Sequence, residues 1–194
     1  MKQSCTPMRY AILLGFSTLL FFTSWQMAKS YNTFNRFPTT STTYRNTDLP
    51  SSWRSATERA ANEWTAVSSC SWTFTKSSSS GSYFRKANID GPTGKLAVCL
   101  NYRDSNNKLS GFRITINQEY TWYTGTGNPS SSQFDLQSIV THELGHAVGL
   151  DHTQSSHCPN SSSMATMCAG SPIGKTWQRS LSSDDKSGIR SLYP

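Results

Sequence analysis

His142-Glu143-Leu144-Gly145-His146-Ala147-Val148-Gly149-Leu150-Asp151-His152 (HELGHAVGLDH) is the stretch on which the reading of this chain turns. On a helix, His142 and His146 stand four positions apart, so both rings leave the same face one turn apart. That spacing lets both Nε2 atoms reach one zinc ion at about 2.0–2.1 Å. Glu143 follows His142 directly, close enough to act on a bound water without being a ligand. Gly149 falls where the helix has to stop, and glycine accepts the positive φ of a helix C-terminus. The chain can then turn back and present His152 as a third ligand. Three protein ligands and an open fourth position are the pattern of a catalytic zinc site. All four histidines of the chain (His142, His146, His152, His157) lie within these few turns, so the cluster is local and not a matter of composition.

The rest of the sequence bounds what surrounds this site. Its 194 residues suit one domain after processing. The N-terminus reads as a secretory signal: Lys2 and Arg9, an apolar run over 10–22, then a polar region. That run is too short to span a bilayer core of about 30 Å. Ala28 and Ser30 supply small residues for cleavage after Ser30, with cleavage after Ala28 as the near alternative. The expected organisation is therefore a cleaved signal over 1–30, a catalytic domain over 31–194, secretion, and no stable membrane anchor. Loss of 1–30 removes Lys2, Arg9, Lys29 and no carboxylate, leaving 15 cationic against 11 anionic side chains, a net +4. The basic residues are scattered, without the density of a nucleic-acid groove, so no nucleic-acid partner is expected. Cys5 leaves with the signal; Cys70, Cys99, Cys158 and Cys168 remain, suggesting two disulfides with three possible pairings. None has the paired spacing of a structural zinc site.

Periodicity gives a mixed α and β chain. Residues 31–43 read as an irregular lead-in, and Thr43-Tyr44-Arg45 as the end of a first strand. A helix is predicted over 53–64 because Trp53, Ala56, Ala60, Trp64 and Val67 recur at three and four, with Ser51 or Ser52 available as N-cap. Trp72 and Phe74 alternate with polar neighbours as a half-buried strand does. Residues 77–82 (SSSSGS) read as a loop. Strands follow over 96–102 and 112–116, separated by Asn106-Asn107 and Gly111. The site helix is predicted over 134–148, with Leu136, Val140, Leu144 and Val148 facing the core. There is no internal repeat.

HELGHAVGLDH resembles the extended zinc signature HExxHxxGxxH of the metzincins, and its flanks look most like the matrixin branch. The closing residues LSSDDKSGIRSLYP are similar to the matrixin C-terminal helix, with Ser182 and Asp185 forming a helix-start box. The resemblance implies an α+β metzincin catalytic fold: a twisted mixed sheet, an edge strand along the cleft, a site-bearing helix and a C-terminal helix. It assigns His142, His146 and His152 as ligands of one Zn2+ and Glu143 as general base. It also implies a methionine turn beneath the metal, for which Met167 is favoured over Met164. Acidic residues at Asp184-Asp185 tie the last helix to the fold. Leu96, Ala97 and Val98 fall on the edge strand that lies along an extended substrate; an ordinary edge without that role is the alternative. Sequence proximity and the expected layout favour the pairs Cys158–Cys168 and Cys70–Cys99. Ca2+ sites, common in the family, cannot be assigned from Asp90, Asp104 and Asp135. With no histidine before His142, the second, structural zinc of animal relatives is expected to be missing. No cysteine stands between the signal and the catalytic pattern, so no cysteine-switch latency is expected.

The implied reaction is peptide-bond hydrolysis on protein or peptide substrates by a monomeric secreted zinc endopeptidase. The alternative is a secreted zinc-stabilised binding domain with little turnover, against which Glu143 and the open ligand position argue. There is no G-x-S-x-G elbow. His157 lies outside the motif and reads as a loop residue. Asp151 is passed over as a ligand because the ten-residue step from His142 lands on His152. Asn160-Ser161-Ser162 is a glycosylation sequon, meaningful in a eukaryotic host.

Overall fold

The computed structural model describes residues 31–194. The signal reading and Cys5 fall outside the described residues. What is described is an α+β domain in which two helices cover the inner face of a mixed sheet. Strands β1 (Asn32–Thr33) and β2 (Ser41–Tyr44) precede helix α1 (Ser51–Thr65). Strands β3 (Thr73–Lys76), β4 (Tyr83–Ala87), β5 (Ala97–Arg103) and β6 (Leu109–Asn117) follow. The short strands β7 (Trp122–Tyr123) and β8 (Phe134–Asp135) lead into helix α2 (Leu136–Ala147). Strand β9 (Leu150–Asp151) and helix α3 (Ser183–Leu192) complete the fold.

β2 pairs parallel with β3, β4 parallel with β6, and β5 antiparallel with β6. A bridge between Arg45 and Tyr83 joins the two ladders: the Arg45 N–H donates to the Ser82 carbonyl at 2.8 Å and the Phe84 N–H to that of Arg45 at 2.9 Å. The strand order is thus β3-β2-β4-β6-β5, with β5 at one edge. Period-two alternation sends Phe84, Phe112, Ile114 and Ile116 inward, all fully buried. α1 lies against α2, with the Trp64 indole N–H donating to the Thr141 carbonyl at 2.8 Å. Among the described residues no helix is long and apolar enough to cross a membrane.

Three expectations change. Residues 31–43 are not all irregular: β1 pairs antiparallel with β9, Asn32 opposite Asp151 and Thr33 opposite Leu150. Two residues are too few to show a period, so only their distant partner reveals the strand. Helix α1 begins at Ser51 with Pro50 as N-cap and no side-chain cap. Proline's φ suits this position, and its carbonyl accepts from the Arg54 N–H at 2.9 Å. β4 also went unread, because Tyr83-Phe84-Arg85-Lys86-Ala87 carries only one fully buried side chain, Phe84.

Candidate metal centre

Helix α2 carries the first two histidines and is set by its ends. Asp135 caps it, accepting from the Ser138 N–H at 2.8 Å, and is itself ion-paired with Arg179. At the other end Gly149 has φ +102°, and a Cβ there would lie 1.9 Å from the Asn35 carbonyl oxygen. Glycine is therefore required twice over, for the left-handed turn and for the close approach. The turn leads into β9, whose pairing with β1 carries the chain to His152. The Asn32 amide then donates to the His152 carbonyl at 3.1 Å.

The three imidazoles converge through Nε2. The Nε2 of His152 lies 3.2 Å from that of His142 and 3.2 Å from that of His146. A tetrahedral zinc with bonds of about 2.0–2.1 Å needs nitrogens about 3.3 Å apart. His142 Nδ1 lies 2.7 Å from the Thr166 carbonyl and His146 Nδ1 lies 2.8 Å from the Leu150 carbonyl. A carbonyl only accepts, so both Nδ1 atoms carry the proton and both Nε2 lone pairs face the centre. Lone pairs pointed at one another are not hydrogen bonds; the three nitrogens form a group that could hold a metal ion. The donor chemistry and spacing fit zinc.

Burial sets the charge states. Desolvation holds His142 neutral, its pKa pulled down to about 3, with His146 adding to the effect. His146 is lowered for the same first reason. Neutral imidazole is the ligating form. Glu143 is pushed up to about 7 by burial, partly offset by a backbone N–H from Cys99 and the charge of Lys95. A carboxyl poised near neutrality suits proton transfer, and a dication beside it opposes the rise.

Beneath the centre, Met167 is 1% exposed, and a Cβ on Gly145 would meet its sulfur at 2.2 Å. Gly145 sits between the two helical histidines, so it leaves the space that Met167 fills. Met164 is half-buried and has no such position. Asp185, fully buried, accepts from the N–H groups of Thr166 and Met167 at 2.8 and 3.0 Å. It also completes the capping box of α3 with Ser182. Asp184 accepts from the Thr153 hydroxyl at 3.0 Å. The Gln178 amide nitrogen lies within 3.1 Å of the carbonyls of Thr166, Cys168 and Gly170. Cys158 and Cys168 form a disulfide, Cα atoms 5.6 Å apart. The pairing of Cys70 with Cys99 needs correcting: both are free thiols. Cys99 points inward from β5 beside Glu143, whereas Cys70 lies near Tyr193. Closeness in sequence did not bring them together.

A cavity of about 440 Å3 opens over the centre. Leu96, Ala97, Val98 and Cys99 form one wall, Ile139 and Glu143 of α2 another, and Gly170 and Gln178 close the far side. Ala97 and Val98 lie on the edge strand β5, and Leu96 just precedes it. The Asn101 amide donates to the His146 carbonyl at 2.9 Å, tying this edge to the ligand helix.

A family model described as matrixin matches residues 33–194, all but the first two of the residues described. The chain belongs to the matrixin family. Metalloendoproteinase 1 of Glycine max is 30% identical over 191 residues, covering 88% of this chain and 58% of that protein. Matrix metalloproteinase-25 of Homo sapiens is 38% identical over 78 residues, covering 40% of this chain and 13% of that one. The chain thus spans just over half the length of the soybean relative. Matrixins are zinc metalloproteases that act on proteins, and the histidine triad here could hold such a metal. In this matrixin domain, His142, His146 and His152 are the one potential metal cluster among the described residues. His157 is exposed and bonded to Ser156. Asp135 is spent on the helix cap, and Asp104 on the turn to Asn106 and Lys108. Asp90 lies in a left-handed turn. Sequence reasoning missed Asn32, Asn101, Gln178 and Arg179, which act through chain segments far away and leave no local pattern.

Proposed function

We propose that this protein is a secreted zinc-dependent endopeptidase that hydrolyses peptide bonds with Glu143 as general base. The observation that carries this reading is the convergence of three Nε2 atoms beside a buried carboxyl, on the floor of a cleft walled by an edge strand. His142, His146 and His152 would hold the ion. Zinc held there would supply a Lewis acid for the scissile carbonyl and for a water whose pKa it would lower towards about 7. Glu143 accepts a proton from the attacking water and delivers it to the leaving amine. The free edge of β5 at Leu96, Ala97 and Val98 receives the substrate as an added strand, which extends the peptide across Glu143. Met167 fills the space under Gly145 and, held by Asp185, keeps the floor at fixed height. The signal at 1–30 and the disulfide accord with export.

Incubation with denatured casein tests this. Cleavage that a chelator stops and added zinc restores is the expected result. Casein left intact by zinc-loaded protein would favour a binding domain.

A further inference from the structure

The outer face of the sheet, turned away from the metal centre, has a composition that the proposed activity does not use. Alternation places Thr73 and Thr75 of β3 and Thr43 of β2 outward. It does the same for Tyr83 and Arg85 of β4, Arg113 and Thr115 of β6, and Val98, Leu100 and Tyr102 of β5. Arg45, just past β2, joins them. Pairing aligns Arg45, Tyr83, Arg113 and Leu100 in one row across four strands. With strands about 4.8 Å apart, Arg45 and Arg113 stand about 10 Å apart with Tyr83 between them. The Arg45 guanidinium carbon lies 5.2 Å from the Tyr83 ring centroid, and the neighbouring Arg113 guanidinium holds the Tyr83 phenol below its usual pKa. Arg85 Nε donates to the Thr115 hydroxyl at 3.1 Å, which holds that guanidinium in place.

None of these strand positions carries a carboxylate. Arg45 meets Asp48 at the rim, while neither Arg85 nor Arg113 is in an ion pair among the described residues. Arg113 Nε is buried and without a hydrogen-bond partner. The cations on the face are all arginine, whose planar fork matches a carboxylate in two-point contact. Around them stand exposed Thr43, Thr73 and Thr75 and the phenols of half-buried Tyr83 and Tyr102, suited to a partner rich in hydroxyls, while Thr115 is buried under Arg85. The apolar content is small: Leu100, 45% exposed, and Val98 do not make the apolar core that a protein interface uses. Bases need open ring faces to stack on, and Arg45 covers one face of Tyr83.

We infer that this face binds a linear, unsulfated carboxylated polysaccharide, its sugar carboxylates on Arg85 and Arg113 and its hydroxyls on the exposed threonines and the tyrosines. The surface would hold the protein on an acidic polysaccharide matrix while the cleft on the other side stays open.

Retention of the full chain on immobilised polygalacturonate tests the inference, with neutral dextran, heparin and a single-stranded DNA oligonucleotide as parallel columns. Retention on polygalacturonate at low salt, release by moderate salt and none on dextran are expected. The pair R85Q/R113Q should weaken retention at least tenfold, with melting temperature and short-peptide cleavage unchanged. The pair K175Q/K186Q removes the same charge elsewhere and should be retained like the wild type. Equal weakening by both pairs would reduce the effect to net charge and overturn the inference. So would unchanged retention of R85Q/R113Q, or stronger retention of the wild type on heparin or DNA. Should R85Q/R113Q melt lower, R85Q alone, at an exposed position, decides by the same criterion.

Discussion

His142 and Glu143 are adjacent, and burial moves them in opposite directions. His142 stays neutral in the folded protein down to about 3, whereas an imidazole in the unfolded chain protonates near about 6.5. As pH falls through that value the unfolded state binds the extra proton, so folded stability is lost. His146 adds to this loss, its folded pKa being lowered as well. Glu143 opposes it: the folded carboxyl takes up a proton near 7 and the unfolded one near 4.5, so its contribution grows as pH falls across that window. Between pH 6.5 and 5 the His142 and Glu143 contributions nearly cancel, so the lowered His146 sets the sign of the net loss. Metal-free protein should therefore melt at a lower temperature at pH 5 than at pH 6.5, as followed by circular dichroism. A higher melting temperature at pH 5 would contradict these charge states.

At the scale of elements, the centre depends on α3 and the disulfide as much as on α2. Asp185 joins the N-terminus of α3 to the backbone at Thr166 and Met167, and none of these groups is open to water. Asp185→Ala leaves two buried N–H groups unpaired and removes the carboxylate half of the capping box, with Ser182 still capping the helix. The expected cost is about 3 kcal/mol, measurable by urea denaturation. Opening the loop with C158S/C168S should cost about 2–3 kcal/mol in the same assay, a loss that reducing agent reproduces in the wild type. These elements were unevenly legible. Helices α1 and α2 could be read because their apolar spacing is local, and α3 because its capping box is. β5 and β6 showed as apolar runs. β1, β7 and β8 are two residues each, and only partners far along the chain make them strands. Cys158 and Cys168 are ten apart and paired, while Cys70 and Cys99 are both free.

At the scale of the whole molecule, the site is a junction of distant segments. Asn32, Asn101, Leu150 and Thr166 fix the histidines from four parts of the chain. HELGHAVGLDH announced the histidine cluster because its spacing is a local property of one helix and one turn. The groups that orient those ligands are backbone carbonyls and amide side chains, which carry no motif. The cleft combines β5, α2 and the segment after Met167, so its shape too depended on the tertiary fold. The central claim is that His142, His146 and His152 hold zinc while Glu143 moves the proton. Metal content and peptide cleavage measured side by side for wild type and Glu143→Gln test it most directly. One zinc per chain in both proteins, with cleavage by the wild type alone, is the predicted result. Cleavage undiminished in Glu143→Gln, or wild-type protein that cleaves without binding zinc, would contradict it.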